Sequence, residues 1–278
     1  MSSSVQIIVD DFDPRITYTP SDKWTTGGVE LEHNSTTHGF NDGAGSFAFN
    51  FNGTGISIYT TVPPFERETP PGVVCKIDGT EIERFTPTGA AYNFLACRSP
   101  TLDADKDHLL EVEVTRMAAW PTFHLDYMIY ESVVGDNTKG AEGSRLVGPE
   151  GESVRIMVDE ADGRVVYGGP EGAWRDGGVD AEHNGTTHVT DTGGATATYT
   201  FFGTGIQVYG TLVEETSSKS PFIATFQIDD SPPVIYTSPS IKGLQYRRRF
   251  FRSPVLEENV EHKLVIMDTT EGAGRFIL

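Results

Sequence analysis

No run of apolar residues in this chain reaches the ~20 needed to cross a bilayer as a helix, so no direct membrane insertion is expected of this segment. Nothing longer than about ten residues repeats with the helical period, which excludes a helix bundle. Basic residues are scarce: 21 Lys and Arg stand against 40 Asp and Glu, a formal charge of −19 over 278 residues. A surface this acidic repels phosphate backbones, so nucleic acid is excluded as a general partner. Cysteine is nearly absent, with only Cys75 and Cys97, which rules out a disulfide-dense scaffold and a cysteine-rich zinc module. There is no Gly-x-Ser-x-Gly, no phosphate loop, no His-Glu-x-x-His and no dinucleotide fingerprint, so no enzyme class announces itself. The first residues, Met1-Ser2-Ser3-Ser4 before Val5-Gln6-Ile7-Ile8-Val9, lack the basic flank and length of a secretory signal.

What the chain does contain is a second copy of itself. Gly28-Val29-Glu30-Leu31-Glu32-His33-Asn34-Ser35-Thr36-Thr37-His38 returns as Gly178-Val179-Asp180-Ala181-Glu182-His183-Asn184-Gly185-Thr186-Thr187-His188, an offset of 178 − 28 = 150 residues. The same offset carries Trp24 onto Trp174, and Gly53-Thr54-Gly55-Ile56 onto Gly203-Thr204-Gly205-Ile206. Phe47, Phe49 and Phe51 alternate with small or polar residues, as do Ala197, Tyr199 and Phe201, the period-two pattern of a half-buried strand. The Gly-Thr-Gly run then predicts a hairpin into the strand carrying Ile56 and Ile58, or Ile206 and Val208. Frequent Gly and Pro between such strands point to an all-β chain: two tandem antiparallel β-sandwich domains of jelly-roll type, born of an internal duplication. The expected boundaries are 1–133 for the first domain, a polar linker at 134–152, and 153–278 for the second. The last strand of the second copy stops at Leu278, the counterpart of Leu125, so its final strand is short and a longer natural chain is suspected.

Cys75 and Cys97 match Phe226 and Phe251 in the sequence of the second copy. Apolar replacement at both places sets both cysteines inward, as one disulfide between neighbouring strands or as two buried thiols. Sequons at Asn34, Asn52 and Asn184 are candidate glycosylation sites. The basic run Arg247-Arg248-Arg249 with Arg252 reads as an edge strand protected by charge.

Trp24 and Trp174 sit among glycines and polar residues, where an indole either stacks on a sugar ring or closes the end of a core. In the repeated Glu-His-Asn-x-Thr-Thr-His element, His33 and His38, like His183 and His188, fall on opposite faces of an extended strand. They share a metal such as zinc only if the Asn-x-Thr part turns. Otherwise the loop satisfies its own backbone and leaves histidines to hydrogen-bond a ligand. Asp103-Ala104-Asp105-Lys106-Asp107 lacks the glycine and glutamate of a calcium loop.

The pattern Val9-Asp10-Asp11, Ile16, Tyr18, Trp24, Asn34-Ser35-Thr36-Thr37-His38, Phe49 to Ile56 with Tyr59, and Phe123-His124-Leu125-Asp126-Tyr127 with Tyr130 resembles tandem β-sandwich ectodomains of mushroom-forming fungi. It is also similar to the wider galactose-binding-like jelly rolls, which include carbohydrate-binding modules and fungal lectins. The resemblance implies that Asp10, Asp11 and Asp126 tie the first and last strands together through calcium, with no other cofactor required. It also implies an extracellular or cell-surface location, a leaderless cytoplasmic lectin being the alternative. Jelly rolls in tandem, Trp-bearing loops and missing catalytic signatures lead to a non-enzymatic carbohydrate-binding, lectin-like protein. Its expected partners are glycans or glycoproteins and its expected sugar-binding residues Trp24, His33, His38, Trp174, His183 and His188. The alternatives are a structural or adhesive surface protein that self-associates, and then a glycoside hydrolase.

Overall fold

In the computed structural model the described residues are 3–40, 43–64, 72–115, 123–134, 154–214, 221–270 and 274–278. They are nearly all β, with only short 3-10 turns such as Ser21–Lys23. Two compact units divide the chain, and the boundary falls between Met157 and Val158.

In the first unit one sheet runs, in hydrogen-bonded order, Thr17–Thr19, Ala44–Asn52, Asp107–Thr115, Gly72–Ile77 and Thr80–Glu81. The other runs Arg155–Met157, Ser3–Asp10, Phe123–Val134, Gly55–Val62, Ala91–Arg98 and Glu83–Arg84, with Trp24–Gly27 and Thr37–Phe40 joined to it through Phe123–Val134. Every pairing is antiparallel. The alternating apolar residues of both sheets meet in one core that includes Phe47, Phe49, Ile58, Leu110, Val112 and Met128. Each such side chain contributes roughly 1.5–3 kcal/mol by leaving water.

Three expectations are corrected by this layout. Arg155–Met157 pairs with Ser3–Asp10, so it belongs to the first unit rather than to a second domain beginning at 153. The paired backbone decides what composition could not, and residues 135–152 of the expected linker lie outside the described residues. The expected hairpin at Gly53-Thr54 is a crossover, because Ala44–Asn52 and Gly55–Val62 belong to different sheets. Alternation of inward residues is the same whether a turn stays within a sheet or crosses the core, so the pattern alone could not separate the two. The cysteines do form a disulfide, Cys75–Cys97, but it links the two sheets rather than neighbouring strands.

The second unit repeats the first sheet strand for strand: Val166–Gly168, Thr196–Phe202, Glu261–Asp268, Ile223–Ile228 and Val234–Thr237. Its other layer is in two pieces. Arg175–Gly177, Thr187–Thr190 and Phe276–Ile277 form one, and Gln207–Leu212 with Gln245–Arg252 forms the other. Phe276–Ile277, paired with Thr187–Thr190, corresponds to the start of Phe123–Val134 in the first unit. Where the first core has its disulfide, the second stacks Phe226 on Phe251, with ring centroids 5.1 Å apart and planes 4° off parallel.

Candidate functional site

The repeated polar element is a tight loop in both units, and glycine permits it. Gly28 lies at φ 141°, and a Cβ there would stand 2.0 Å from the Ser35 carbonyl oxygen. Gly178 lies at φ 132° with the Gly185 oxygen at 2.1 Å. The chain then turns through His33–Ser35 or His183–Gly185, with Asn34 and Asn184 in the left-handed region at φ 52° and 51°, where asparagine is tolerated. The carboxylate of Glu32 accepts from the Val29 amide at 2.5 Å, and Glu182 does the same for Val179 at 2.9 Å. The Asn-x-Thr part is therefore a turn, and the two histidines of each loop find different partners.

In the first unit this loop closes over the end of the first strand and the middle of the last. The Asp11 amide donates to the Asp126 carbonyl at 3.1 Å. The Asp126 carboxylate accepts from the His33 backbone amide at 2.8 Å. Asp11 accepts from the Thr36 hydroxyl at 2.6 Å and meets His38 Nδ1 at 2.7 Å. Asp10 takes the side-chain amide of Asn34. His38 is sandwiched: Tyr18 stacks on it at 4.5 Å, 11° off parallel, and Phe12 approaches edge-on at 4.6 Å. The Tyr18 hydroxyl donates to the Asp11 carbonyl at 2.7 Å. Burial, reinforced by the charge of Asp10 and opposed by the bonds from His38 and Thr36, pushes the Asp11 carboxyl up to about 6. Burial also raises Asp126 well above the usual carboxylate range. Phe12 keeps half its surface in solvent beside this cluster.

The second unit builds the same motif with altered chemistry. Tyr167 stacks on His188 at 4.1 Å and 6°, and its hydroxyl donates to the Glu160 carbonyl at 2.8 Å. Asn184 donates to Asp159 at 2.8 Å. His188 Nδ1 lies 3.8 Å from Glu160 and its Nε2 lies 3.3 Å from the exposed Asp176. Burial, aided by the Asp159 charge, pushes Glu160 up to about 7. Burial together with Arg247 brings His183 down to about 4. In this unit Glu182 accepts a buried bond from the Thr211 hydroxyl at 2.7 Å.

Each residue expected from sequence has a definite place. His38 and His188 lie in the ring stacks; His33 lies against Tyr127, ring centroids 5.2 Å apart, and His183 beside Asp159. Trp24 is 7% exposed, packed against Tyr18, Phe40, Phe47 and Phe123, and its indole donates to the Thr19 carbonyl. It belongs to the core, which corrects the expectation of an indole open to a sugar at that position. Trp174 is partly buried and donates to the Thr196 and Gly168 carbonyls. Asp10, Asp11 and Asp126 do converge, but each carboxylate is held by a different donor of the loop. Among the described residues no group of three or more His, Cys, Asp or Glu is arranged to hold a metal ion. The Asn34 and Asn184 amides are tied to carboxylates, whereas Asn52 is exposed and donates to the Lys106 carbonyl at 3.0 Å. Sequence reasoning missed the stacked tyrosines and the glutamates that pin each loop. Their signal was recurrence, at 182 − 32 = 150 residues for the glutamates and at 167 − 18 = 149 for the tyrosines.

No family model matches the chain, and no curated protein matches it in sequence. Among solved structures it is similar to a Paenibacillus xanthan lyase at 13% identity and a TM-score of 0.33. The alignment covers 95% of this chain, which spans only 24% of that one. A likeness this low supports no inference about chemistry.

Proposed function

We propose that the chain is a carbohydrate-binding, lectin-like protein with one binding loop in each unit. The observation that carries the reading is recurrence: Tyr18 stacks on His38 in one copy and Tyr167 on His188 in the other, with a carboxylate beside each ring, Asp11 bonded at 2.7 Å and Glu160 at 3.8 Å. Sugars are bound by planar, fixed polar groups next to an apolar face. The exposed ring of Phe12 supplies such a face in the first unit. Two loops on one chain would add avidity for a multivalent glycan. The Cys75–Cys97 bond favours maturation outside the cytosol, where glycans and glycoproteins are the available partners. No residue is assigned a catalytic role.

The test is a broad glycan array on the intact chain, followed by calorimetry with galactose-type and glucose-type sugars, with and without calcium. His38→Ala and His188→Ala should each weaken binding by about 0.5–1.5 kcal/mol, the worth of one hydrogen bond. An array on which nothing binds sinks the reading. A structural or adhesive role would then take its place, favoured by the fact that the Asp10, Asp11 and Asp126 carboxylates already bond within the loop.

A further inference from the structure

The five-stranded sheet that the two units share carries different chemistry on its outer face. In the first unit, Val74, Glu113, Ser46 and Thr19 stand side by side in one outward cross-strand row. Glu81, Lys76, Glu111, Ala48 and Thr17 form the next. Lys76 donates diagonally to Glu113 at 2.7 Å. Charges distributed over both rows make this an ordinary solvated face, polar outside and apolar within.

In the second unit the register recurs and the charges are gone. One row reads Ile235, Thr225, Met267, Thr196 and Gly168, the next Gln227, Val265, Thr198 and Val166. Val265 and Met267 follow His262 by three and five residues, as Glu111 and Glu113 follow His108. Gln227 follows Phe226 as Lys76 follows Cys75. The alternate residues Ala197, Ala224, Phe226, Leu264 and Ile266 are buried in the core, so these rows face out. Ile235 is 69% exposed, Val166 63% and Met267 39%. In the first unit Phe123–Val134 lies in the opposite layer, so no strand of that kind bears on this face.

We propose that this face is the contact of a symmetric dimer, its partner being the same face of a second copy. The two sheets stack about 10 Å apart, with the central strands, Glu261–Asp268, antiparallel. A two-fold axis between the rows then sets one row on the other. Met267 lies over the partner's Val265 and Val166 over the partner's Gly168, long against short in both cases, and each Lys263 is kept off its own copy. Five strands about 4.8 Å apart and a length of about 20 Å give a footprint of roughly 480 Å². Two such footprints come close to the ~1,000 Å² at which specific interfaces begin, which fits a weak, reversible dimer. A flat glycan is disfavoured because neither row holds an aromatic ring to stack on a sugar. A basic partner is disfavoured because an uncharged face offers it nothing, on a chain whose charge of −19 lies elsewhere. The dimer stands apart from the carbohydrate reading, which concerns the loops.

The test is analytical ultracentrifugation of the intact chain from about 1 μM to about 1 mM, at low and high salt. The sedimenting mass should climb towards twice the monomer's. High salt should strengthen association several-fold, since it screens the repulsion between two acidic chains and leaves the apolar contact intact. Gln227→Lys, Val265→Glu and Met267→Glu together restore the charges that the first unit carries at the same places, and should weaken association by about a hundredfold. Ile235→Glu, at a largely exposed side chain, should weaken it by about tenfold and leave the melting temperature of the dilute protein unchanged. A chain that stays monomeric at about 1 mM in high salt overturns the proposal. So does association that both variants leave untouched, which would move the contact to another face, or association that salt weakens, which would assign it to charge. A glycan array reads the loops alone, so the two readings fail separately.

Discussion

At the scale of single residues the loop rests on glycine, and the core on an aromatic cluster that composition could not place. Gly28→Ala puts a methyl group 2.0 Å from the Ser35 carbonyl oxygen at a φ that side chains avoid. The loop must open, and a cost of at least ~1–3 kcal/mol is expected. Chemical denaturation should register it, and His38 should lose its place on Tyr18; an unchanged midpoint would show that the loop relaxes freely. Trp24→Ala should cost on the order of 3–5 kcal/mol, because it removes a large buried ring from four aromatic neighbours. A loss below 1 kcal/mol would return Trp24 to the surface. The sequence made the loop visible, since Gly28, Asn34 and Thr36 recur at one offset. It could not distinguish a core indole from an exposed one, because turn residues flank both. Nor could it say which carboxylate meets which histidine, because Asp11 lies in the turn after Ser3–Asp10 and His38 in Thr37–Phe40, and their meeting depends on how those segments are arranged in the fold.

At the scale of elements, the same fold is held across its two layers by different means. Cys75–Cys97 joins the sheets of the first unit, and the stacked Phe226 and Phe251 occupy the same two places in the second. The disulfide closes a loop with a sequence separation of 22, which in the chain-entropy account is worth about 3 kcal/mol. Reduction should therefore lower the melting transition of the first unit and leave that of the second where it was, as calorimetry with and without reductant would report. Equal shifts in both transitions would mean that the units do not melt separately. Strand content was legible from period-two alternation, as in Phe47, Phe49 and Phe51. The assignment of strands to sheets was not, because Gly53-Thr54 turns the chain across the core with the same inward pattern that a hairpin would show. Pairing of Arg155–Met157 with Ser3–Asp10 was likewise hidden, since three residues carry too little pattern to choose a partner.

At the scale of the whole chain, the charge of −19 combines with buried acids and clamped histidines to make stability depend on pH, and the opposition from lowered histidines is weakest above pH 6.5. His108 Nδ1 meets Asp78 at 2.7 Å while its Nε2 lies 2.9 Å from the Asp103 carbonyl. His262 repeats this with Asp229 at 2.7 Å and the Glu257 carbonyl at 3.0 Å. Two acceptors around one ring favour the doubly protonated imidazolium, and both histidines are raised, chiefly by the carboxylate bond. A raised group contributes stability that is complete below its unfolded value and is lost as pH climbs through its folded value. Glu160, pushed up to about 7 by burial, loses stability in the same direction. Below pH 6.5 the lowered His183, near 4, works the other way: its contribution disappears as pH falls and offsets the gain from Asp11 near 6. Above 6.5 His183 and the likewise lowered His124 still return some stability, but no more than about a factor of two each, because their unfolded imidazoles are already half neutral there; the losses at His108, His262 and Glu160, with self-repulsion among the acidic groups, outweigh it. The melting temperature should therefore fall by a few degrees between pH 6.5 and about 8. Glu160→Gln should flatten part of that slope in the second unit, and His262→Gln a further part. A flat or rising profile across this window would mean that these groups titrate alike in the folded and unfolded chain, and that their bonds add nothing to stability.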